Sequence, residues 1–137
     1  MNISIDGIDL KIRPYQEGDY GFILDSWLKN YKDHCSTSPS MYWAEQKLII
    51  DRLLKTADTY VLCSPEDETA LHGYVCGEMG RYIHYVYIPF KLRKNGLARE
   101  LIRHLLGSYP ETIVSSHAGF GGSRRFVTNE HLLRLGR

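Results

Sequence analysis

The fold is decided by residues 82–106, which read YIHYVYIPFKLRKNGLARELIRHLL. The first seven of these residues are almost all aromatic or β-branched, and a proline follows them, which predicts a strand over 82–88. Apolar residues then recur at helical spacing over 97–106 and a glycine follows, which predicts an amphipathic helix. The turn between strand and helix, residues 93–98, is basic and contains one glycine.

This turn has the composition of an anion-binding site. The first turn of a helix has unpaired N–H groups, and the helix dipole adds partial positive charge there. Gly96 would let a phosphate approach the backbone, and Arg93 and Lys94 add formal charge. The combination predicts that residues 93–98 bind a phosphate or a similar anion. The glycine patterns of the P-loop and of dinucleotide-binding folds are both absent.

Upstream of this stretch, the chain changes from helical to strand periodicity. A short strand over 10–13 stops at a proline, which is typical of an edge or opening strand. Helices are predicted from Asp19 to residue 31 and from Tyr42 to Thr56. The apolar positions of the second helix include Ala44, Leu48 and Leu53. Strands over 59–63 and 70–77 follow, before a tight turn at Met79-Gly80.

Downstream of the 97–106 helix, a short strand is predicted over 112–115, then a basic loop over 118–125 and a short helix over 130–135. The order β-α-α-β-β-β-α-β predicts a mixed α/β fold. Its three consecutive strands should be antiparallel, because short turns join them. The strand–helix–strand unit over 82–116 should be a right-handed parallel crossover.

Composition sets broad limits on the class of protein. The 137 residues predict a single domain over 1–137, and 43% hydrophobic with 24% charged residues is an ordinary globular balance. A net charge of +1 gives no general attraction to nucleic acid or to a membrane surface. No membrane span and no secretory signal are apparent, and three scattered cysteines fit a reducing cytoplasm. The histidines lack metal-ligand spacing, so no metal is expected.

The run Arg93-Lys94-Asn95-Gly96-Leu97-Ala98 matches the pattern [Arg/Gln]-x-x-Gly-x-[Gly/Ala] at all three fixed positions. In this motif, and in the order of elements from Leu10 to Ser116, the chain resembles the GNAT (Gcn5-related N-acetyltransferase) superfamily. The resemblance implies a twisted mixed sheet with helices on both faces. It also implies an acetyl-CoA-dependent N-acetyltransferase, in which an amine attacks the thioester directly. The shortened form looks like small acetyltransferase-like proteins of bacteriophages.

The resemblance also implies which residues bind acetyl-CoA. Backbone amides of Arg93, Lys94, Asn95, Gly96, Leu97 and Ala98 would hold the pyrophosphate. The backbone of Val86, Tyr87 and Ile88 would pair with the pantetheine arm, where the family's fourth and fifth strands splay apart. An N–H near Tyr87 or Ile88 would polarise the thioester carbonyl.

Four residues are candidates for proton transfer: Glu78, His84, Tyr87 and His117. Tyr85 is an alternative proton donor to Tyr87. Three of the four have a plainer interpretation: a solvated turn carboxylate for Glu78, a partly buried, hydrogen-bonded imidazole for His84, and simple packing for Tyr87, as for Tyr85. Period two places Tyr82, His84, Val86 and Ile88 on one face of the strand, and Ile83, Tyr85 and Tyr87 on the other. Cys76 is interpreted as a small core residue.

The chain departs from the family in several places. Pro89 lies four residues before Arg93 instead of three, and Ala98 takes the place of the second glycine. Only 21 residues follow Ser116, where the family adds a helix and two strands, and the tyrosine acid of that helix has no counterpart.

These departures keep other functions open. One alternative is a catalytically weak or inactive GNAT-fold protein that binds a partner protein. Another is a small protein that contacts nucleic acid through Arg124, Arg125, Arg134 and Arg137. The acceptor amine could belong to a protein or to a small molecule, and a homodimer could close the acceptor groove.

Overall fold

A computed structural model describes residues 2–5, 7–31, 39–116 and 126–129. The strands are β1 (Asn2–Ile5), β2 (Ile8–Pro14), β3 (Asp58–Cys63), β4 (Leu71–Glu78), β5 (Tyr82–Tyr87), β6 (Ile113–Ser115) and β7 (Phe126–Thr128). The helices are α1 (Tyr20–Tyr31), α2 (Pro39–Thr56) and α3 (Leu97–Leu106), with short 3₁₀ turns at Glu17–Asp19 and Phe90–Leu92. The predicted loop over 118–125 and helix over 130–135 lie outside the described residues.

The seven strands form one sheet, and their order in the sheet is their order in the chain. Neighbours from β1 to β5 are antiparallel, whereas β5, β6 and β7 are parallel. This confirms the mixed sheet, the three consecutive antiparallel strands and the parallel pairing across α3. Residues 10–13 were predicted to form the first strand or an edge strand of the sheet. This is wrong, because β1 precedes β2 and pairs with it after a tight turn at Gly7 (φ +80°).

Helices cover both faces of the sheet, as predicted. On one face α1 and α2 pack against β3, β4 and β5, with the fully buried Trp27 in that core. On the other face α3 buries the stripe that the sequence predicts: Leu97, Leu101, Ile102 and Leu105. Helix α3 has its predicted bounds, and it ends where Gly107 adopts a left-handed conformation (φ +82°).

Helix α2 packs through a different stripe from the predicted one. Leu53 is buried, but Ala44 is exposed and Leu48 is 71% exposed. The buried stripe is Tyr42, Gln46, Ile50 and Leu53. Tyr42 and Ile50 are eight residues apart and fix this face, so the polar Gln46 between them is buried with them.

A β-bulge in β5 changes which side chains share a face. Cys76 pairs with Tyr85 and Gly77 pairs with Ile83, so His84 is an extra residue on β5. Ile83 therefore packs with Val86 against α3, while Tyr85 lies with the α1–α2 core. The prediction that Ile83 shares a face with Tyr85 and Tyr87 is therefore wrong. Beyond the bulge, Val86 and Ile88 share one face and Tyr85 and Tyr87 the other, as predicted.

Candidate functional site

The turn between β5 and α3 has an unusual backbone. Lys94 and Gly96 both have positive φ, +67° and +77°, and residues 93–96 are exposed. Gly96 is the N-cap of α3 and makes no side-chain capping bond. A Cβ on Gly96 would meet no atom within 4 Å. The space beside Gly96 is therefore open at the start of α3, and alternating signs of φ over 94–96 are typical of anion-binding concavities.

Side chains hold this turn and give it positive charge. Arg93 donates from Nε to the carbonyl of Ile88 at 2.8 Å. Asn95 donates from Nδ2 to the carbonyls of Leu92 and Arg93 at 3.2 and 3.3 Å. The carboxylate of Glu100 in the first turn of α3 is paired with Arg103 at 3.3 Å. The turn thus combines Arg93, Lys94 and uncapped N–H groups, a set of groups that favours an anion.

The carboxyl half of β5 leads into this turn. Val86 and Tyr87 pair with Val75 and Tyr74 of β4. The carbonyl oxygen of Tyr87 lies 2.7 Å from the position of a Cβ on Gly73, so it points toward β4. Because peptide groups alternate along a strand, the N–H and C=O of Val86 face the β6 side.

Within the described residues, β5 and β6 pair at one position, Ile83 with Ser115. The Ser116 N–H also donates to the carbonyl of Ile83 at 3.0 Å. The chain that follows Ser116 lies outside the described residues. The predicted splaying of these two strands therefore stays a prediction.

His84 lies in the bulge and is 2% exposed. Its Nδ1 is 2.6 Å from the Oγ of Ser116, which follows β6 and is also buried. Burial, with a smaller contribution from the positive charge of Arg52, lowers the pKa of His84 to about 4. The imidazole is therefore neutral at pH 7. Ser116 was not among the residues predicted from the sequence, although the polar pair Ser115-Ser116 at the end of a buried strand is a usable signal.

The other candidate residues lie in different surroundings. Glu78 ends β4 opposite Tyr82 and is 4% exposed, so its interpretation as a solvated turn carboxylate is wrong. The Tyr87 ring contacts Phe22 and Tyr74, with centroids 6.2 and 5.7 Å away. His117 lies outside the described residues, as do the arginines of the tail.

Tyr85 and Cys76 are packing residues. The Tyr85 ring stacks on Trp27 at 4.8 Å between centroids, and burial raises the pKa of its hydroxyl. Burial also raises the pKa of the Cys76 thiol to about 12, which confirms it as a core residue and leaves almost no thiolate at neutral pH.

A cleft of about 540 Å³ lies away from this site, between the start of α1 and the end of α2. Sequence reasoning did not predict it. Tyr20 donates to Asp51 there at 2.6 Å, and Lys47 forms an ion pair with the same carboxylate at 2.8 Å. The cleft contains no residue of the turn or of β5.

No group of three His, Cys, Asp or Glu side chains in the described parts could hold a metal ion. Among the helices of the same residues, none is both long and apolar enough to cross a membrane.

Comparisons with known proteins give structural matches only. No family profile matches the sequence, and no curated protein sequence matches it. The structure is similar to apo YjaB from Escherichia coli, with a TM-score of 0.55, 20% identity, and coverage of 74% of this chain and 67% of that one.

Two other solved structures show the same likeness. One is a GNAT family acetyltransferase from Brucella melitensis in complex with acetyl-CoA, with a TM-score of 0.53, 18% identity, and coverage of 85% of this chain and 80% of that one. The other is a GCN5-related N-acetyltransferase from Rhodopseudomonas palustris, with a TM-score of 0.52, 16% identity, and coverage of 71% and 65%. At these identities the likeness is one of fold.

Proposed function

Because the chain has the GNAT fold, we propose that it binds acetyl-CoA at the turn before α3 and transfers the acetyl group to an amine. The observation that carries this proposal is the turn itself. It has two left-handed residues, an uncapped helix N-terminus and exposed cations, at the position where the family motif falls. These groups suit a pyrophosphate, which needs several N–H donors and positive charge together.

The N–H groups from Arg93 to Ala98 would donate to the pyrophosphate oxygens. Open space beside Gly96 leaves room for the phosphate, which a larger side chain would fill. Arg93 is held to Ile88 through Nε, so the rest of its guanidinium is oriented before any ligand arrives. Such preorganisation lowers the entropic cost of binding.

The backbone of Val86 would then pair with the amides of the pantetheine arm. Its N–H and C=O face the β6 side, and Tyr87 is engaged with β4 on the opposite side. We assign Ile88 a smaller role than the sequence predicts, because its carbonyl accepts a bond from Arg93. The Val86 N–H is the described donor best placed to polarise a thioester carbonyl.

Transfer requires the amine nitrogen to bond to the carbonyl carbon while the carbon–sulfur bond breaks. One proton leaves the attacking nitrogen and one reaches the departing thiolate. A histidine with a pKa of about 4 accepts a proton poorly from an ammonium group, so we do not assign His84 as the base. Glu78 is the remaining candidate base among the described residues, with His117 as its rival. Tyr87 remains the candidate acid.

Calorimetry of acetyl-CoA binding, with a matched pair of glycine variants, tests the proposal. Gly96→Trp fills the open space at the turn. Gly107→Trp introduces the same residue at the other end of α3, where φ is also positive (+82°) and a Cβ also meets nothing within 4 Å. Both variants should lose similar stability from backbone strain. Only Gly96→Trp should lose binding.

Failure of the folded wild-type protein to bind acetyl-CoA would reject the proposal, as would equal weakening by both variants. Turnover is measured separately, as release of the CoA thiol with a panel of amines. Glu78→Gln should then reduce turnover while acetyl-CoA affinity stays the same. The alternative base, His117, is tested by His117→Gln in the same assay.

A partner-binding protein with weak or no catalysis is the second candidate function. It is supported by Met41 and Leu48 of α2, which are seven residues apart on one helix face and 61% and 71% exposed. Neighbouring exposed apolar side chains are typical of interaction surfaces. A protein acceptor could also dock there. Leu48→Glu should abolish partner capture in this case, whereas Gly96→Trp should leave it intact.

A further inference from the structure

Phe90 is an aromatic side chain with almost no cover. It is 84% exposed, the highest value among the exposed large apolar side chains of the described residues. It begins the 3₁₀ turn between β5 and the basic turn, and its carbonyl accepts the N–H of Arg93 at 3.3 Å. Its backbone position relative to the anion site is therefore fixed.

One face of the Phe90 ring carries a cation. The guanidinium of Arg93 lies 5.9 Å from the ring centroid, within the range of a cation–π contact. Arg93 is itself tethered to Ile88. Since Phe90 is still largely exposed, the opposite face of the ring is open to solvent.

The charges around Phe90 restrict what could cover that open face. Three cations, Lys91, Arg93 and Lys94, lie within four residues of Phe90 in the chain, and all three are exposed. A neutral apolar partner would have to desolvate these cations, which is costly. A ligand that combines a flat aromatic ring with phosphates satisfies both the ring and the cations, as in binding of nucleotides by aromatic and basic side chains.

We propose that Phe90 stacks on the adenine ring of CoA. This inference rests on the proposed function, because it requires the pyrophosphate to occupy the turn over 93–98. A single ribose joins the adenine to that pyrophosphate, and Phe90 lies three residues before Arg93. Phe90 thus recognises the nucleotide end of the ligand, separately from the thioester end.

Three ligands distinguish binding of the nucleotide end of CoA from binding of its thioester end. The first is CoA itself. The second, adenosine 3′,5′-bisphosphate, keeps the base but lacks the pantetheine arm, and the third, 4′-phosphopantetheine, lacks the adenosine. Calorimetry is run on the wild type, Phe90→Ala, Phe90→Trp and the control Met79→Ala. Met79 is a second exposed apolar residue, 52% exposed in the turn between β4 and β5.

Phe90→Ala should weaken the binding of CoA and of the bisphosphate by a similar factor, roughly fivefold to tenfold, which is the lower part of the range for base–aromatic stacking. The affinity for 4′-phosphopantetheine should not change. Phe90→Trp should keep the affinity for CoA, and its indole fluorescence should be quenched when CoA binds. Met79→Ala should match the wild type with all three ligands.

An unchanged CoA affinity in Phe90→Ala would overturn the inference while leaving the proposed function standing. A loss that is equal for CoA and 4′-phosphopantetheine would overturn it too, because the effect would then not come from the base. If the wild type binds none of the three ligands, the proposed function falls and the inference with it.

Discussion

His84 should make the free energy of unfolding fall between pH 7 and pH 5. In the folded protein, burial and then the charge of Arg52 lower its pKa from the ordinary 6.5 to about 4. Between these two values the unfolded chain binds a proton that the folded protein does not. Stability is therefore complete above the unfolded pKa and is lost as the pH falls toward the folded one. At pH 5 the loss relative to pH 7 is about 2 kcal/mol for this one group.

Urea unfolding at pH 7, 6 and 5 measures this loss, with His84→Asn as the comparison. For a slope of roughly 1–3 kcal/mol per molar urea, the wild-type midpoint should fall about 1 M further than the variant's. Carboxylates also begin to titrate in this range. The difference between the two proteins removes their contribution, since both proteins contain the same carboxylates.

The Ser116→Ala variant shows whether burial or the hydrogen bond to Ser116 causes the pH dependence from His84. Removing the Oγ that lies 2.6 Å from His84 should cost about 1 kcal/mol at pH 7. The pH dependence should remain, because burial and Arg52 produce it. Parallel pH profiles for the wild type and His84→Asn would refute the reasoning, since they would mean that His84 keeps an ordinary pKa in the folded state.

Three further predictions concern packing and charge. Gly77→Ala should lower the free energy of unfolding by about 1–3 kcal/mol in urea unfolding, because its Cβ would overlap the backbone of β5. The control Gly21→Ala, where a Cβ meets nothing within 4 Å and φ is not positive, should show no such loss; equal losses would contradict this. Asp19→Ala should lower the free energy of unfolding by about 3 kcal/mol in thermal unfolding, because it removes the carboxylate that accepts two hydrogen bonds of 2.8 Å from the buried Arg13. Replacing Arg13 and Asp19 together by apolar residues should cost less than the sum of the two single replacements. Cys76 should stay unlabelled by a thiol reagent at pH 8 until urea unfolds the chain, as peptide mass spectrometry can show; rapid labelling in the native state would mean that the β4 core opens readily.

The sequence predicts best where one strong periodicity acts alone. Helix α3 has the bounds expected from its apolar stripe and terminal glycine. The glycine-containing turn also lies between β5 and α3, where the sequence predicts it, while its role as an anion site stays a prediction. Its second left-handed residue, Lys94, could not be predicted, since lysine has no marked preference for that conformation.

Prediction fails where tertiary contacts choose between similar options. The bulge at His84 depends on how Gly77 of β4 meets β5, which no local pattern encodes. Helix α2 has apolar residues on two sides, and packing against the sheet leaves Leu48 outside while burying Gln46. Ser116 becomes a partner of His84 only because β6 lies beside β5, 32 residues apart in the chain.

The strand order β1-β2-β3-β4-β5-β6-β7 has a consequence for how the protein is made. Each strand pairs with the strand synthesised just before it, so none must insert between two strands already in place. During translation, the sheet can grow at one edge as each segment leaves the ribosome, with α1 and α2 synthesised before β3 docks and α3 before β6 does. Nascent chains of increasing length, stalled on the ribosome, should therefore gain protease resistance one strand at a time.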